Sequence, residues 1–143
     1  MTVQQYELAL LALASWREAA GENIDTMLSI AYTIHNLALI DELSISAAIV
    51  KHQELHGIVV DEKAHPDVRE PQFTRLLQRI DSVVGPFAED LTNGATHYVD
   101  LSKDIPQRMR YLLDQPDVYK LCCVSGTRHF FKKTLDTHPE NVS

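Results

Sequence analysis

Apolar residues recur at steps of three and four positions through the first half of the chain, which is the period of an amphipathic α-helix. The pattern predicts a first helix over residues 3–19. A second helix follows the turn at Gly21, with Asn23 as its N-cap, and it is the most strongly periodic segment of the sequence. The start of the chain is therefore expected to be almost entirely helical.

Two further helices are predicted before the pattern changes. Ser44 or Ser46 caps a third, shorter helix, and the polar residues 61–71 after it are predicted to form a loop. A fourth helix has Pro71 near its start, and the Gly85-Pro86 pair is expected to bend or end it.

The second half of the chain predicts extended structure. After Asn93-Gly94, a dipeptide typical of turns, residues 95–99 alternate as in a short strand. Residues 103–117 are predicted to form a loop and a short helix. Residues 122–131, around Ser125-Gly126, suit a second short extended piece. Because each extended piece carries a histidine, polar chemistry is expected there.

Chain length and composition support one domain with an α+β fold that is mainly α-helical and carries a small β element. With 143 residues, of which 45% are hydrophobic, the chain is long enough to bury a core without disulfides or a metal. The domain is expected over 1–136, with a loose tail over 137–143. The adjacent Cys122 and Cys123 have poor geometry for a disulfide with each other and are expected to be small, buried or half-buried residues.

The charge balance restricts the partners. Thirteen Lys and Arg against 20 Asp and Glu give a net charge of −7. Such a surface repels a phosphate backbone, so nucleic acid is not an expected partner. The apolar run near the start lacks a basic n-region and is cut by Arg17 and Glu18 after about 10 apolar positions, against the ~20 that span a bilayer. We expect no membrane span and no signal peptide, and hence synthesis in the cytoplasm.

Glu18 is the first candidate for chemistry. It lies at the C-terminal end of the first predicted helix, where the negative end of the helix dipole disfavours a charged carboxylate. Trp16 and the neighbouring alanines would remove part of its water. Both conditions favour a glutamic acid that keeps its proton and donates it as a general acid. The alternative is a solvated glutamate at a helix end.

Three histidines are weaker candidates for catalytic or metal-binding residues. His97 lies in the first predicted strand, and a structural histidine is its alternative interpretation. His52 and His56 are four positions apart on a predicted helix with Glu54 between them, a spacing at which two imidazoles face one metal ion. No third ligand is evident in the sequence, and the order differs from the H-E-x-x-H pattern. A metal-dependent hydrolase is therefore the weakest of the hypotheses.

Five short motifs occur in an order that resembles one family and cover about residues 8–131. They are Glu-Ala-Ala-Gly-Glu at 18–22, Ile-Ala-Tyr-Thr-Ile-His-Asn at 30–36, Gln-Phe-Thr at 72–74, Asp-Leu-Thr-Asn-Gly-Ala-Thr-His-Tyr at 90–98, and Gly-Thr-Arg-His-Phe-Phe at 126–131. In these motifs the chain resembles the SleB/CwlJ-type cell wall hydrolases, the spore cortex-lytic enzymes whose relatives also occur in phages and phage-like particles.

The resemblance implies a lysozyme-like fold and cleavage of the β-1,4 bond between N-acetylmuramic acid and N-acetylglucosamine in peptidoglycan glycan strands. The catalytic glutamate of the family maps onto Glu18. As in a lytic transglycosylase, Glu18 would protonate the glycosidic oxygen and then take the proton from the muramyl 6-hydroxyl, which closes a 1,6-anhydro ring. That mechanism needs one carboxylate and no cofactor or metal. Ordinary hydrolysis uses two carboxyl groups, and Glu22 is the candidate near Glu18 in the sequence.

The same correspondence implies a substrate-binding groove. Amide, hydroxyl and imidazole groups suit the recognition of N-acetyl and hydroxyl groups, and a tyrosine offers an apolar face to a sugar ring. The implied substrate-binding residues are Glu22, Gln72, Thr96, His97, Tyr98 and His129. For Phe73, Phe130 and Phe131 we favour packing in the core.

Three departures from the family pattern motivate an alternative function. Ala20 stands where the signature has Arg, Leu37 stands where Arg commonly follows the asparagine of the second helix, and residues 106–109 stand where the family has Trp. The alternative is a non-catalytic glycan-binding or structural module, for instance of a phage-like particle. In either case the protein would reach the cell wall by lysis, secretion or packaging, with a delivery partner or a particle.

Overall fold

The computed structural model describes residues 2–56, 69–83, 90–105 and 107–134. Its elements in chain order are the helices α1 (Val3–Ala19), α2 (Ile24–Ile40), α3 (Ile45–His56) and α4 (Pro71–Ile80), the 3-10 turn Asp81–Val83, strand β1 (His97–Asp100), the 3-10 turn Gln107–Met109, helix α5 (Tyr111–Asp114), and strands β2 (Tyr119–Ser125) and β3 (Arg128–Lys133). The predicted α+β class, mainly helical with a small antiparallel sheet, is confirmed. The predicted tail 137–143, the Gly85-Pro86 pair and most of the predicted loop 61–71 lie outside the described residues.

The helices begin where their caps place them. The Asn23 side chain accepts a hydrogen bond from the Thr26 amide at 2.8 Å, as the sequence predicts for the start of α2. Of the two serines that suit the start of α3, Ser44 is the cap, because its hydroxyl accepts from the Ala47 amide at 3.1 Å. Pro71 occupies the first turn of α4, where its missing N–H leaves no backbone acceptor unpaired.

Helix α2 is the centre of the core. It packs against α1, α3 and α4, and its side chains are buried on most of its circumference, which explains why it gives the strongest apolar pattern in the sequence. Its largest fully buried side chains are Met27, Leu28, Ile30 and Ile34. No single helix in the described ranges is long and apolar enough to cross a membrane, although α2 and α3 taken together, bent by 112°, reach that length and apolarity.

The sheet contains three antiparallel strands in the order β1-β3-β2. The sequence predicts one extended piece over 122–131, and this prediction is wrong, because Gly126 turns the chain back at φ 61° and makes a hairpin of β2 and β3. The last strand therefore lies in the middle of the sheet. Its register places Phe131 opposite His97 and Arg128 opposite Asp100 on β1.

A β-bulge explains the pair of adjacent cysteines. Leu121 lies opposite Phe131 and Cys123 lies opposite Phe130, so Cys122 is the extra residue in β2. Strict alternation would send one of the two thiols outward, whereas the bulge lets both contact the core. Both are free and half-buried, as predicted, and burial raises the pKa of the Cys122 thiol to about 11.

The predicted aromatic core is confirmed. Phe130 is fully buried and Phe131 nearly so. Phe73 on α4 packs edge-on against Trp16 of α1, with ring centroids 5.5 Å apart. The contact between Trp16 and Phe73 packs α4 against the C-terminal part of α1.

Two motif residues connect α2 to the turn before β1. The Asn36 side-chain amide donates to Asp90 Oδ2 at 2.8 Å and to the Ala95 carbonyl at 2.9 Å. Asp90 also accepts from the amides of Thr92 and Gly94, at 2.8 and 2.9 Å. One asparagine and one aspartate therefore fix the turn that delivers β1 to the helical core.

Replacement of Asn36 by alanine should test this connection. The variant leaves the Ala95 carbonyl without this donor, and the free energy of unfolding should fall by about 1–3 kcal/mol. Urea denaturation at an unchanged m-value measures the loss. Leu39→Ala is the matched control, because Leu39 lies on the same helix with 65% of its surface exposed, and its effect should stay within about 0.5 kcal/mol. An equal loss in both variants would contradict the assigned role.

Candidate active site

The carboxylate of Glu18 is buried where α1, α3 and β1 meet. Its side chain is only 4% exposed. His52 on α3 places Nε2 2.8 Å from Oε2 and 3.0 Å from Oε1, and the Tyr98 hydroxyl on β1 donates to Oε1. These partners lie 34 and 80 positions away in the sequence. A carboxylate that has left water needs such partners, because burial without them is costly.

The turn after α1 holds Glu18 at the helix end. The chain reverses at Gly21, whose φ of 89° favours glycine. Gln72 on α4 fixes this turn from outside, since its Oε1 accepts from the Gly21 amide at 3.4 Å and its Nε2 donates to the Glu22 carbonyl. Gln72, implied by the resemblance as a substrate-binding residue, therefore has both ends of its amide bonded to the backbone of the turn.

Arg128 connects β3 to the same helix end. Its Nη2 donates to the Glu18 carbonyl at 2.9 Å, and its Nη1 donates to Glu22 Oε1 at 2.5 Å. The last carbonyls of a helix lack intrahelical donors and lie at the negative end of its dipole, so a buried cation satisfies them. Glu22, the sequence candidate for a second acid, is ion-paired with this guanidinium.

A cavity of about 210 Å³ adjoins Glu18. The rings of His56 and Tyr98 in its lining are stacked with centroids 4.4 Å apart. The remaining lining residues are the cationic Arg17, Lys103 and Arg128, the acidic Asp100 and Asp104, and the apolar Val99, Ile105 and Met109. With Glu18 included, the lining balances three cations against three carboxyl groups.

The cavity retains hydrogen-bond donors. The Nε atoms of Arg17 and Arg128 are both buried and make no hydrogen bond within the described part of the chain. Buried donors of this kind are uncommon, and a bound ligand is one way in which they are satisfied.

Asp100 is a second carboxylate on the same cavity. Burial would raise its pKa, but hydrogen bonds from Ser102 and Thr127 and the charge of Arg128 lower the pKa to about 2. Asp100 is therefore ionised at neutral pH. No sequence motif pointed to this residue.

Thr96 and His97 line a different cleft. Side chains alternate along a strand, so His97 and Tyr98 point in opposite directions from β1, and His97 enters a cleft of about 430 Å³ beside α2 and α3. His129 on β3 is half-buried and lines neither space among the described residues. Of the implied substrate-binding residues, Tyr98 is the one that lines the cavity of Glu18.

His97 is held neutral in its cleft. Burial lowers its pKa to about 4, and the charges of His52, Lys133 and Lys51 act in the same direction, against the opposing charge of Asp41. The Thr96 hydroxyl lies 2.8 Å from its Nδ1. The ring therefore enters the cleft as an uncharged imidazole at neutral pH.

The described ranges contain no ligand set for the metal site suggested by His52 and His56. His52 is bonded to Glu18, and the His56 ring lies 4.3 Å from that of His52. Within those ranges no three His, Cys, Asp or Glu residues come together in a way that could hold a metal ion.

Comparison of this chain with protein-family models, with curated proteins and with solved structures finds no match. The geometry of the site therefore carries the functional argument.

Sequence reasoning missed two of the partners of Glu18, His52 and Arg128. His52 follows Ala48 by one helical turn on the buried side of α3, so its periodicity indicates an inward position. Arg128 alternates with Phe130 on the buried face of β3, which gives the same signal for a strand. Both patterns predict that His52 and Arg128 are buried, but neither predicts which residues they contact.

The low pKa of His97 predicts a pH-dependent stability. The unfolded chain binds a proton near pH 6.5 that the folded chain binds only near pH 4, so the free energy of unfolding should fall as the pH falls between these values. In His97→Gln, the free energy of unfolding should no longer show this part of its dependence on pH. Denaturant unfolding of both proteins from pH 7.5 to 4 measures it, and the difference at pH 7.5 serves as the control for altered packing. Identical slopes would count against the buried neutral imidazole.

Proposed function

We propose that the protein cleaves the β-1,4 bond between N-acetylmuramic acid and N-acetylglucosamine in peptidoglycan, with Glu18 as the general acid and then the base. The observation that carries the proposal is a buried glutamate at a helix end, bonded to His52 and Tyr98, on the wall of a cavity lined by two arginines whose Nε atoms make no hydrogen bond among the described residues. The lysozyme-like fold implied by the sequence resemblance belongs to the same proposal. A helical body with a small antiparallel sheet beside the glutamate is compatible with it.

Glu18 and three residues near it have roles in this mechanism. Protonated Glu18 gives its proton to the glycosidic oxygen as the bond to the muramyl C1 breaks, and the resulting carboxylate takes the proton of the muramyl 6-hydroxyl as that oxygen attacks C1. The Tyr98 hydroxyl and His52 Nε2 stabilise the carboxylate between the two transfers. The stacked rings of His56 and Tyr98 offer an apolar face to a sugar ring.

The position of Asp100 favours a second route, which is ordinary hydrolysis with two carboxyl groups. It is an ionised carboxylate in the lining of the same cavity. A second carboxylate activates a water or forms a covalent intermediate in ordinary glycoside hydrolysis, whereas ring closure to the anhydro sugar does not require it. The products distinguish the two routes, since hydrolysis leaves a reducing end and transglycosylation leaves a 1,6-anhydro end.

A second candidate function is a non-catalytic glycan-binding or structural module. The observation in its favour is that both oxygens of Glu18 already have partners and that its side chain is almost fully buried. Gln72, His97 and His129 also lie away from the cavity of Glu18. This module would bind sacculi without cleaving them. For either candidate, lysis, secretion or packaging with a delivery partner would bring the protein to the cell wall.

Incubation with purified peptidoglycan sacculi tests the two candidates. The wild-type protein should release soluble muropeptides, and Glu18→Gln should lower the rate about a hundredfold or more, because an amide is too weak an acid to protonate the leaving oxygen. Glu42→Gln is the matched control, since Glu42 is an exposed carboxylate in the turn after α2, and it should retain the wild-type rate. Sacculus binding without release by the wild type would favour the non-catalytic module.

The Asp100→Asn variant distinguishes transglycosylation from two-carboxylate hydrolysis. If the anhydro product forms, the variant should keep the product type and most of the rate, because Asp100 takes no proton in that route. Mass spectrometry of the released muropeptides measures the ratio of anhydro to reducing ends. Reducing ends from the wild type, with their loss in Asp100→Asn, would replace the transglycosylase mechanism with two-carboxylate hydrolysis.

A further inference from the structure

The cleft that contains His97 is larger than the cavity of Glu18 and is lined by different residues. Its volume is about 430 Å³, within the range of sites that hold small ligands. Three of its rings pack edge-to-face, with centroid separations of 5.3 Å for His97 and Tyr119, 6.3 Å for His97 and Tyr111, and 5.0 Å for the two tyrosines. These rings form an aromatic wall of the cleft.

Hydrogen-bonding groups accompany the apolar surface of this wall. Burial raises the pKa of Tyr111 to about 12 and also raises that of Tyr119. Both phenols therefore keep their protons at neutral pH and remain donors, while His97 is uncharged. The wall suits an aliphatic segment that carries amide groups.

The charges of the cleft are of both signs. Asp41 and Lys51 form an ion pair with each other. Glu54 on α3 and Lys133 on β3 also line the cleft, and neither makes an ion pair within the described residues. An acid and a base in one cleft, each without an ionic partner there, complement a ligand that carries an ammonium and a carboxylate. A neutral sugar would leave both charges unmatched.

We propose that this cleft binds a short peptide that carries both an ammonium and a carboxylate group, with the ammonium at Glu54, the carboxylate at Lys133 and the aliphatic part against the wall of His97, Tyr111 and Tyr119. The peptide stems attached to the muramyl sugars of peptidoglycan have this chemistry. The assignment of the ligand to such stems depends on the proposed function, whereas the peptide binding itself does not.

The adjacent positions of His97 and Tyr98 give the geometric reason for two sites. One residue of β1 lines the cleft and the next lines the cavity of Glu18. Helix α3 also contributes to both, with Glu54 in the cleft and His56 in the cavity. The two spaces therefore open on opposite sides of β1, and the tripeptide is a ligand of the cleft alone.

The probe for the test is the N-acetylated tripeptide L-Ala–γ-D-Glu–L-Lys, titrated into the protein by calorimetry or NMR. Two analogues remove one charge each: acetylation of the lysine removes the ammonium, and amidation of the C-terminus removes a carboxylate. Each analogue should bind the wild type about three- to fivefold more weakly, the size expected for a charge pair near the surface. Experiments on Glu18→Gln should give the same values, which separates peptide binding from cleavage.

Variants of the two charged residues identify the contacts. Glu54→Gln should no longer distinguish lysine from acetyl-lysine, and Lys133→Gln should no longer distinguish the carboxylate from the amide. Lys120→Gln, an exposed lysine on β2 outside the cleft, is the control and should keep both preferences. Because each variant is compared with itself on two ligands, a general loss of stability would not imitate these results.

Three outcomes would overturn the proposal. They are no binding of the tripeptide, unchanged preferences in both Glu54→Gln and Lys133→Gln, or displacement of the tripeptide from the cleft by an uncharged N-acetylglucosamine oligomer. Failure of the proposed function gives a different result, in which sacculi stay intact while the tripeptide still binds with these preferences.

Discussion

The buried Glu18 side chain and its backbone connect α1 to α3 and to the sheet. A carboxylate that has lost its water persists only where other donors replace it, and His52 and Tyr98 take that position from two different elements. The backbone of the same residue receives a third donor, Arg128, from the central strand. One position on α1 therefore joins a second helix and two strands. The same contacts hold the Glu18 side chain in place on the wall of the cavity.

Strand β1 contributes polar side chains to both the cavity of Glu18 and the cleft of His97. Because its side chains alternate, four residues are enough to supply Tyr98 to one space and His97 to the other. The two spaces differ in character. The cavity of Glu18 has arginine donors and an ionised aspartate, and the cleft of His97 has an aromatic wall with charges of both signs.

The sequence predicts local structure well and tertiary contacts poorly. Asn23 and Ser44 cap their helices because capping involves residues three positions away, and apolar spacing places α1 and α2 for the same local reason. The sequence does not predict the hairpin of β2 and β3, because a single glycine within an apolar stretch does not show whether the chain turns there. In the site, Tyr98 contacts Glu18, whereas Gln72 is bonded to a turn and His97 faces another cleft. Asn36 and Asp90, motif residues with no predicted role, bond to each other, and residue spacing gives no sign of that contact.

The bond between Arg128 and the Glu18 carbonyl has a consequence for the order of synthesis. The two residues are separated by 110 positions. At ribosomal rates, α1 is complete on the order of ten seconds before its C-terminal cap is translated. During that interval the nascent chain has the acidic residue but lacks the guanidinium that fixes the end of its helix. An interrupted chain is in the same condition, so a truncated product carries the glutamate without the assembled site.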